Sequence, residues 1–223
     1  MSRWEPGARL RLGAAALELF AERGFEQTTV TDIAARAGVT ERTFYRHFGD
    51  KREVLFDGGP PLQDYLTRAT SERSAAGDPP LVAIGRAFEG AAHDVFGDRR
   101  EFARRRSVVI AAHPELLERE LGKTALIAAG LTDSLQAAGV GPSRARLAAE
   151  TGVAAFRVAF ARWVGPDDTA SLADLIRETF DELRAVIAEP DQLPTAARKI
   201  SPSPLNVSGA ASAVTNAEWP PIS

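Results

Sequence analysis

The sequence predicts an all-α fold, and two observations carry that prediction. Apolar residues recur at three- and four-residue spacing from residue 8 to about residue 189, while no run of alternating β-branched residues marks a strand. Glycines and prolines then punctuate that stretch, at Gly24, Gly38, Gly49, Gly58-Gly59-Pro60-Pro61, Gly77-Asp78-Pro79-Pro80, Gly97, Pro114, Gly139 to Pro142 and Gly165-Pro166. Between these marks lie about nine helical segments, the first three short and the later ones long. The expected division is an N-terminal three-helix unit over 8–56, a C-terminal helical bundle over 57–189, and a tail over 190–223. The tail is rich in Pro, Ser, Ala and Thr. It has too little periodic apolar surface to offset its ordering entropy, so disorder is expected there, with Trp219 its one feature able to dock.

Bulk composition narrows the function. The chain has 223 residues, 44% hydrophobic and 26% charged, in the range of folded proteins. No apolar run approaches the ~20 residues of a membrane span, and the N-terminus lacks a signal-peptide pattern. A cytoplasmic protein without a membrane partner is therefore expected. Cysteine is absent, which excludes disulfides and thiol catalysis. A formal charge of −3 means that nucleic-acid binding would need a local basic surface. The abundance of alanine and of arginine over lysine points to a G+C-rich bacterial genome. His47, His93 and His113 are the three histidines, and no two stand at metal-ligand spacing. Phosphate loop, dinucleotide fingerprint and nucleophile elbow are all missing, so neither catalytic residues nor a metal or cofactor is expected.

The first helix carries Leu10, Ala14, Leu17 and Ala21 as one apolar stripe, with Phe20 beside it, and Gly24 suits its C-cap. Thr29 is the N-cap of a second helix, with Asp32 in capping-box position and Ile33, Ala34 and Ala37 inward. That helix stops at Gly38, and Thr40 caps a third. Helix, short Gly-containing turn, helix is the layout that places a recognition helix in the major groove. In the third helix, Phe44 and Phe48 share a face and anchor it. Arg42 and Arg46 point farthest from that anchor, with Thr43 next to them and Tyr45 and His47 flanking. Arginine can read guanine bidentately and threonine can meet a thymine methyl, whereas the others can reach phosphates. Asp50 should cap a fourth helix, whose first turn carries Lys51 and Arg52 as a phosphate clamp.

Three stretches carry a family resemblance: Ala15-Ala16-Leu17-Glu18-Leu19-Phe20-Ala21-Glu22-Arg23-Gly24-Phe25; Thr28-Thr29-Val30-Thr31-Asp32-Ile33-Ala34-Ala35-Arg36-Ala37-Gly38-Val39; and Phe44-Tyr45-Arg46-His47-Phe48 with Lys51. Together they resemble the TetR family of transcription regulators. The resemblance implies double-stranded operator DNA as a partner, with Thr29 and Lys51 on phosphates and Thr40, Arg42, Thr43, Tyr45 and His47 forming the DNA face. Many members have a small residue where this chain has Arg42, so the operator cannot be transferred from a relative. The same resemblance implies that the later helices bind a small-molecule effector and build a homodimer.

Those helices show broad apolar faces: Leu81, Ile84, Ala87, Phe88, Ala91 and Val95; then Leu131, Leu135 and Ala138; then Leu147, Val153, Phe156, Phe160 and Trp163 over 143–164; then Leu172, Leu175, Ile176, Phe180, Leu183 and Ile187 over 171–187. By the family pattern the last two helices pair with their copies, which makes Phe156, Phe160, Trp163, Leu175, Phe180 and Leu183 the expected dimer interface. The run Arg99 to Arg106 is the densest basic segment, read either as a solvated face or as a site for an anionic group. With Pro114-Glu115-Leu116 and Glu118-Arg119 beyond it, this segment resembles a mycofactocin-cluster subgroup, some of whose members respond to acyl-coenzyme A. A hydrophobic, anionic effector such as an acyl-CoA is therefore expected, with Phe88, Phe102, Arg105, Arg106, His113 and Phe156 as candidate contacts. The overall expectation is a ligand-responsive repressor. An activator of the same fold and an all-helical small-molecule-binding protein without DNA function are the alternatives.

Overall fold

The computed structural model describes residues 7–56, 59–166 and 169–188. The expectations for the tail 190–223, for Trp219 and for Gly58 lie outside them. Among the described residues there are nine α-helices and no strand. They are α1 (Ala8–Arg23), α2 (Val30–Arg36), α3 (Glu41–His47), α4 (Gly59–Ala75), α5 (Pro80–Ala91), α6 (Arg100–Ala112), α7 (Pro114–Ala137), α8 (Pro142–Val164) and α9 (Leu172–Ala188). No helix among them is long and apolar enough to cross a membrane.

The described residues form two hydrophobic clusters. The smaller gathers Leu12, Leu19 and Phe20 of α1, Ile33 of α2 and Phe44 of α3, with Phe48 and Val54 to Phe56 after them. It is completed by Val109 and Ile110 at the end of α6 and by Leu116 at the start of α7. The first three helices therefore do not close a core without help from residues some sixty positions further on. In the larger cluster, Leu66 of α4, Ile84 and Phe88 of α5, Leu131 of α7, Val153 and Trp163 of α8 and Leu175 and Phe180 of α9 meet.

Helices in the larger cluster approach closely at glycines. A β-carbon added to Gly152 of α8 would fall 2.6 Å from Cγ2 of Ile84, and one added to Gly85 of α5 would fall 3.0 Å from the Phe180 ring. Between α5 and α6 the chain forms a π turn, Ala92–Phe96, which swings Phe96 onto Phe156, Phe160 and Trp163 at ring-centroid separations of 5.9, 5.8 and 6.0 Å. Gly97 ends that turn with φ +47°, a backbone shape glycine adopts without a Cβ clash.

Two local expectations are corrected. The buried face of α1 is Leu12, Ala15, Ala16, Leu19 and Phe20 together with Leu17, while Leu10, Ala14 and Ala21 are exposed. In an alanine-rich helix several stripes share the 3.6 period, and only the packing partners select one. After Asp50 the chain makes a 3-10 turn, Glu53–Leu55, so the long helix starts at Gly59 and not near Lys51. Asp50 still caps this turn, because its Oδ1 accepts from the backbone N–H groups of Arg52 (2.7 Å) and Glu53 (3.1 Å).

Candidate nucleic-acid interface

Seven-residue helices are too short to persist alone, so the ends of α2 and α3 carry much of their definition. Thr29 and Asp32 form a full capping box. The Thr29 hydroxyl accepts from the Asp32 amide at 3.1 Å, and the Asp32 carboxylate accepts from the Thr29 amide at 3.0 Å. The same hydroxyl donates to that carboxylate at 2.7 Å, and these Thr29 bonds hold the Asp32 carboxyl below the usual carboxylate range. α2 closes in a Schellman motif. Gly38, with φ +68°, donates to the Ala35 carbonyl, and Val39 donates back to Ala34 at 2.9 Å. Thr40 then caps α3 by accepting from the Thr43 amide at 3.2 Å.

This geometry fixes which way α3 faces. Phe44 and Phe48 are buried, their ring centroids 5.3 Å apart. Arg42 and Arg46 are exposed on the opposite side, Tyr45 is exposed at its flank, and Thr43 is half-buried. Tyr45 leans edge-on against Phe44 at 5.5 Å, which orders its ring while leaving most of it exposed. His47 is half-buried, with its Nε2 buried and without a hydrogen-bond partner. Burial, then the charges of Arg46 and Arg9, hold its pKa below the ordinary histidine value, so the ring is neutral near pH 7.

The two residues expected to hold phosphates already have partners within the chain. Lys51 donates from Nζ to the Phe25 carbonyl at 2.7 Å and sits 4.0 Å from the Phe25 ring centroid. The Thr29 hydroxyl belongs to the capping box, and the Thr40 and Thr43 hydroxyls bond each other at 3.1 Å. Sequence reasoning missed the braces behind this surface. Arg36 forks onto Glu22 (3.0 and 3.1 Å) and reaches Glu18 at 3.2 Å, tying α2 to α1. Arg11 donates to the Ala37 carbonyl at 3.1 Å, and Arg9 lies 5.6 Å from the Phe48 ring centroid. Spacing within α1 gives no signal for any of these, since each contact joins α1 to a later part of the chain.

The six candidate effector contacts do not converge. Phe88 and Phe156 stack at 4.4 Å in the larger cluster. Arg106 and His113 lie instead against the N-terminal helices, Arg106 donating to the Leu55 carbonyl and His113 sitting 6.0 Å from Phe25. Phe102 and Arg105 are exposed on α6. The basic run divides among different tasks. Arg100 holds the Trp163 and Gly165 carbonyls, Arg104 pairs with Glu101, and Arg106 pairs with Glu120.

Of the expected dimer contacts, Trp163, Leu175 and Phe180 are 4%, 0% and 2% exposed within the single chain, so they have no surface left for a partner. Phe156, Phe160 and Leu183 pack half-buried against the same cluster. The exposed large apolar residues of α8 and α9 are Leu147, Val158, Val186 and Ile187. Periodicity identifies both apolar faces but cannot tell the one facing the protomer core from the one left outside.

Comparison with known proteins agrees with this architecture. A family described as "Bacterial regulatory proteins, tetR family" matches residues 12–57, and one described as "MftR C-terminal domain" matches residues 78–188. The HTH-type transcriptional regulator TcmR of Streptomyces glaucescens is 42% identical over 73 residues, 33% of this chain and 32% of that protein. The chain thus spans about a third of the length of such curated relatives. A solved structure described as a TetR-family transcriptional regulator from Syntrophomonas wolfei superposes with a TM-score of 0.58 at 16% identity, covering 80% of this chain and 94% of that one. SmeT, the repressor of the Stenotrophomonas maltophilia multidrug efflux pump SmeDEF, superposes at 0.54 with 19% identity over 80% and 89%.

Proposed function

Because the chain belongs to the TetR family of bacterial regulatory proteins, we propose that it is a sequence-specific DNA-binding repressor that acts in the bacterial cytoplasm and releases DNA on binding an effector. Residues 8–56 are the DNA-binding part in this reading, and 57–189 bind the effector and dimerise. The observation that carries it is the face of α3, where Arg42, Tyr45 and Arg46 stand exposed on a helix fixed from behind by Phe44 and Phe48. Arg42 is assigned to base edges, and Thr29, Thr40, Thr43, Tyr45, Arg46, His47 and Lys51 to the rest of the DNA face. Two such helices one DNA turn apart read an inverted repeat, which requires a homodimer. The exposed residues Leu147 and Val158 of α8 and Val186 and Ile187 of α9 are its contact surface. The effector is hydrophobic and anionic, an acyl-CoA being the type compound.

Fluorescence anisotropy against DNA upstream of the chain's own gene, in ~150 mM salt with scrambled DNA as control, tests this reading. Preferential binding at nanomolar concentration is expected. Arg42→Ala should weaken it by about 1–3 kcal/mol and relax base preference at one half-site position. Lys51→Ala should weaken binding to all sequences alike and flatten the salt dependence. Equal loss on every sequence for both variants would remove base reading from Arg42. Acyl-CoA compounds at ~50 µM should release the DNA, and their failure to change either DNA binding or thermal stability would remove that effector class.

A further inference from the structure

The 3-10 turn that comes after α3 is held by charges that the DNA face does not use. Glu53 accepts two bonds from Arg119 of α7, at 2.5 Å from Nε and 2.9 Å from Nη2. Arg106 of α6 donates to the Leu55 carbonyl at 2.6 Å and pairs with Glu120 of α7 at 2.8 Å. The Phe56 ring takes both guanidinium groups, 4.9 and 5.3 Å from its centroid. Lys123 stands three residues after Glu120 and four after Arg119, on the same face of α7.

Lys123 is partly buried and makes no ion pair among the described residues. Glu53 and Glu120 are each already forked by an arginine, and Asp50, the other carboxylate acting on Arg119, is paired with Arg52. The cation left without an ion pair is the Lys123 ammonium. Burial, then the charge of Arg106, push its pKa down to about 8, with Arg119 adding to that push while Glu120 and Glu53 oppose it. A partly desolvated ammonium without an ion pair is stabilised by a ligand that brings an opposite charge to it.

We propose that Lys123, with Arg106 and Arg119 behind it, binds an oxyanion, the carboxylate or phosphate group of an effector. This deepens the repressor reading and rests on it for its regulatory meaning. Lysine presents a compact point charge with rotatable donors, which suits a single oxygen in a site where both arginine forks are already engaged. An anion seated there attracts the same two guanidinium groups that hold Glu53 and the Leu55 carbonyl. Occupancy therefore acts on the turn directly after α3, without crossing the larger cluster.

Calorimetric titration of the whole chain with inorganic phosphate and, separately, with hexanoate tests the site at pH 7, with ionic strength held constant by sodium chloride. At least one should bind the unaltered chain. Lys123→Met should weaken it by about tenfold or more, whereas Lys123→Arg should stay within about threefold of the unaltered chain. Phosphate binding alone would identify a phosphate group as the ligand, and hexanoate binding alone a carboxylate. Lys123→Gln serves if the methionine variant loses its helical circular dichroism. Equal binding by the unaltered chain and the uncharged variant, or binding of neither anion, overturns the site. If Lys123-dependent anion binding persists but upstream DNA is not preferred over scrambled DNA, the repressor reading falls and the site stands.

Discussion

The smaller and the larger hydrophobic cluster hold their helices by opposite means. In the smaller cluster α2 and α3 are seven residues each, their N-termini are fixed by side-chain caps, and large rings such as Phe20, Phe44 and Phe48 fill the centre. In the larger cluster α7 and α8 run to 24 and 23 residues, and the helices approach through glycine and alanine at Gly85, Gly152, Ala145, Ala149 and Ala159. A seven-residue helix has too few turns to be stabilised by its face alone, so its ends matter. A helix of more than twenty residues has ample face, so what matters is how near its neighbour can come. The first arrangement should therefore be sensitive to ring removal and cap loss, and the second to added volume.

The largest effect that would separate the two is Phe44→Ala. The ring is fully buried, and its removal should cost about 3–5 kcal/mol in urea denaturation. DNA binding should be lost before the bulk helical signal. If both fall together, the smaller cluster is not a separately destabilised region and the contrast fails. Next comes Gly152→Ala, where the new methyl meets Ile84 and the cost should be about 1–3 kcal/mol. Combined with Ile84→Ala, which removes the Cγ2 that the methyl meets, it should cost less than the sum of the two single losses. Additive losses in the double variant would show that the close approach is not made at this pair. Smallest is Thr29→Ala, which removes the capping box at a cost of about 1 kcal/mol.

That last cost should depend on pH. The Asp32 carboxyl is held below its ordinary value of 3.8 by Thr29, so its contribution is present above that value and disappears as pH falls through the lower, folded-state value. The difference between Thr29→Ala and the unaltered chain should therefore shrink between pH 7 and pH 3. A difference independent of pH would assign the cap to the hydroxyl alone.

These contrasts also explain which parts of the structure are legible in the sequence. Thr29, Asp32, Gly38, Thr40, Phe44 and Phe48 act within a few residues of themselves, so spacing alone locates both short helices and the outward direction of Arg42 and Arg46. The stripe on α1 is misplaced by periodicity because Leu10 and Leu12 both fit a helical period, and only Ile33, Phe44 and the end of α6 decide between them. The family pattern assigns the apolar faces of α8 and α9 to a partner, and amphipathicity cannot single out Trp163, Leu175 and Phe180 as the ones the protomer itself covers. The clasp of Arg106 and Arg119 on the 3-10 turn spans more than fifty residues of sequence, beyond the reach of any local pattern.

On the repressor reading, the docked side chain of Lys51 bears on the rate at which DNA is recognised. A lysine free in solvent samples many rotamers and surrenders them when it meets a phosphate. Here the stem and ammonium are already ordered by the Phe25 carbonyl and ring, while the ammonium has two further N–H groups to offer. Much of the ordering that a phosphate contact demands has thus taken place before any encounter. On the repressor reading, Phe25→Ala would leave the same charge at the same position in the sequence yet slow productive docking. That would appear as a smaller association rate constant with little change in the salt slope.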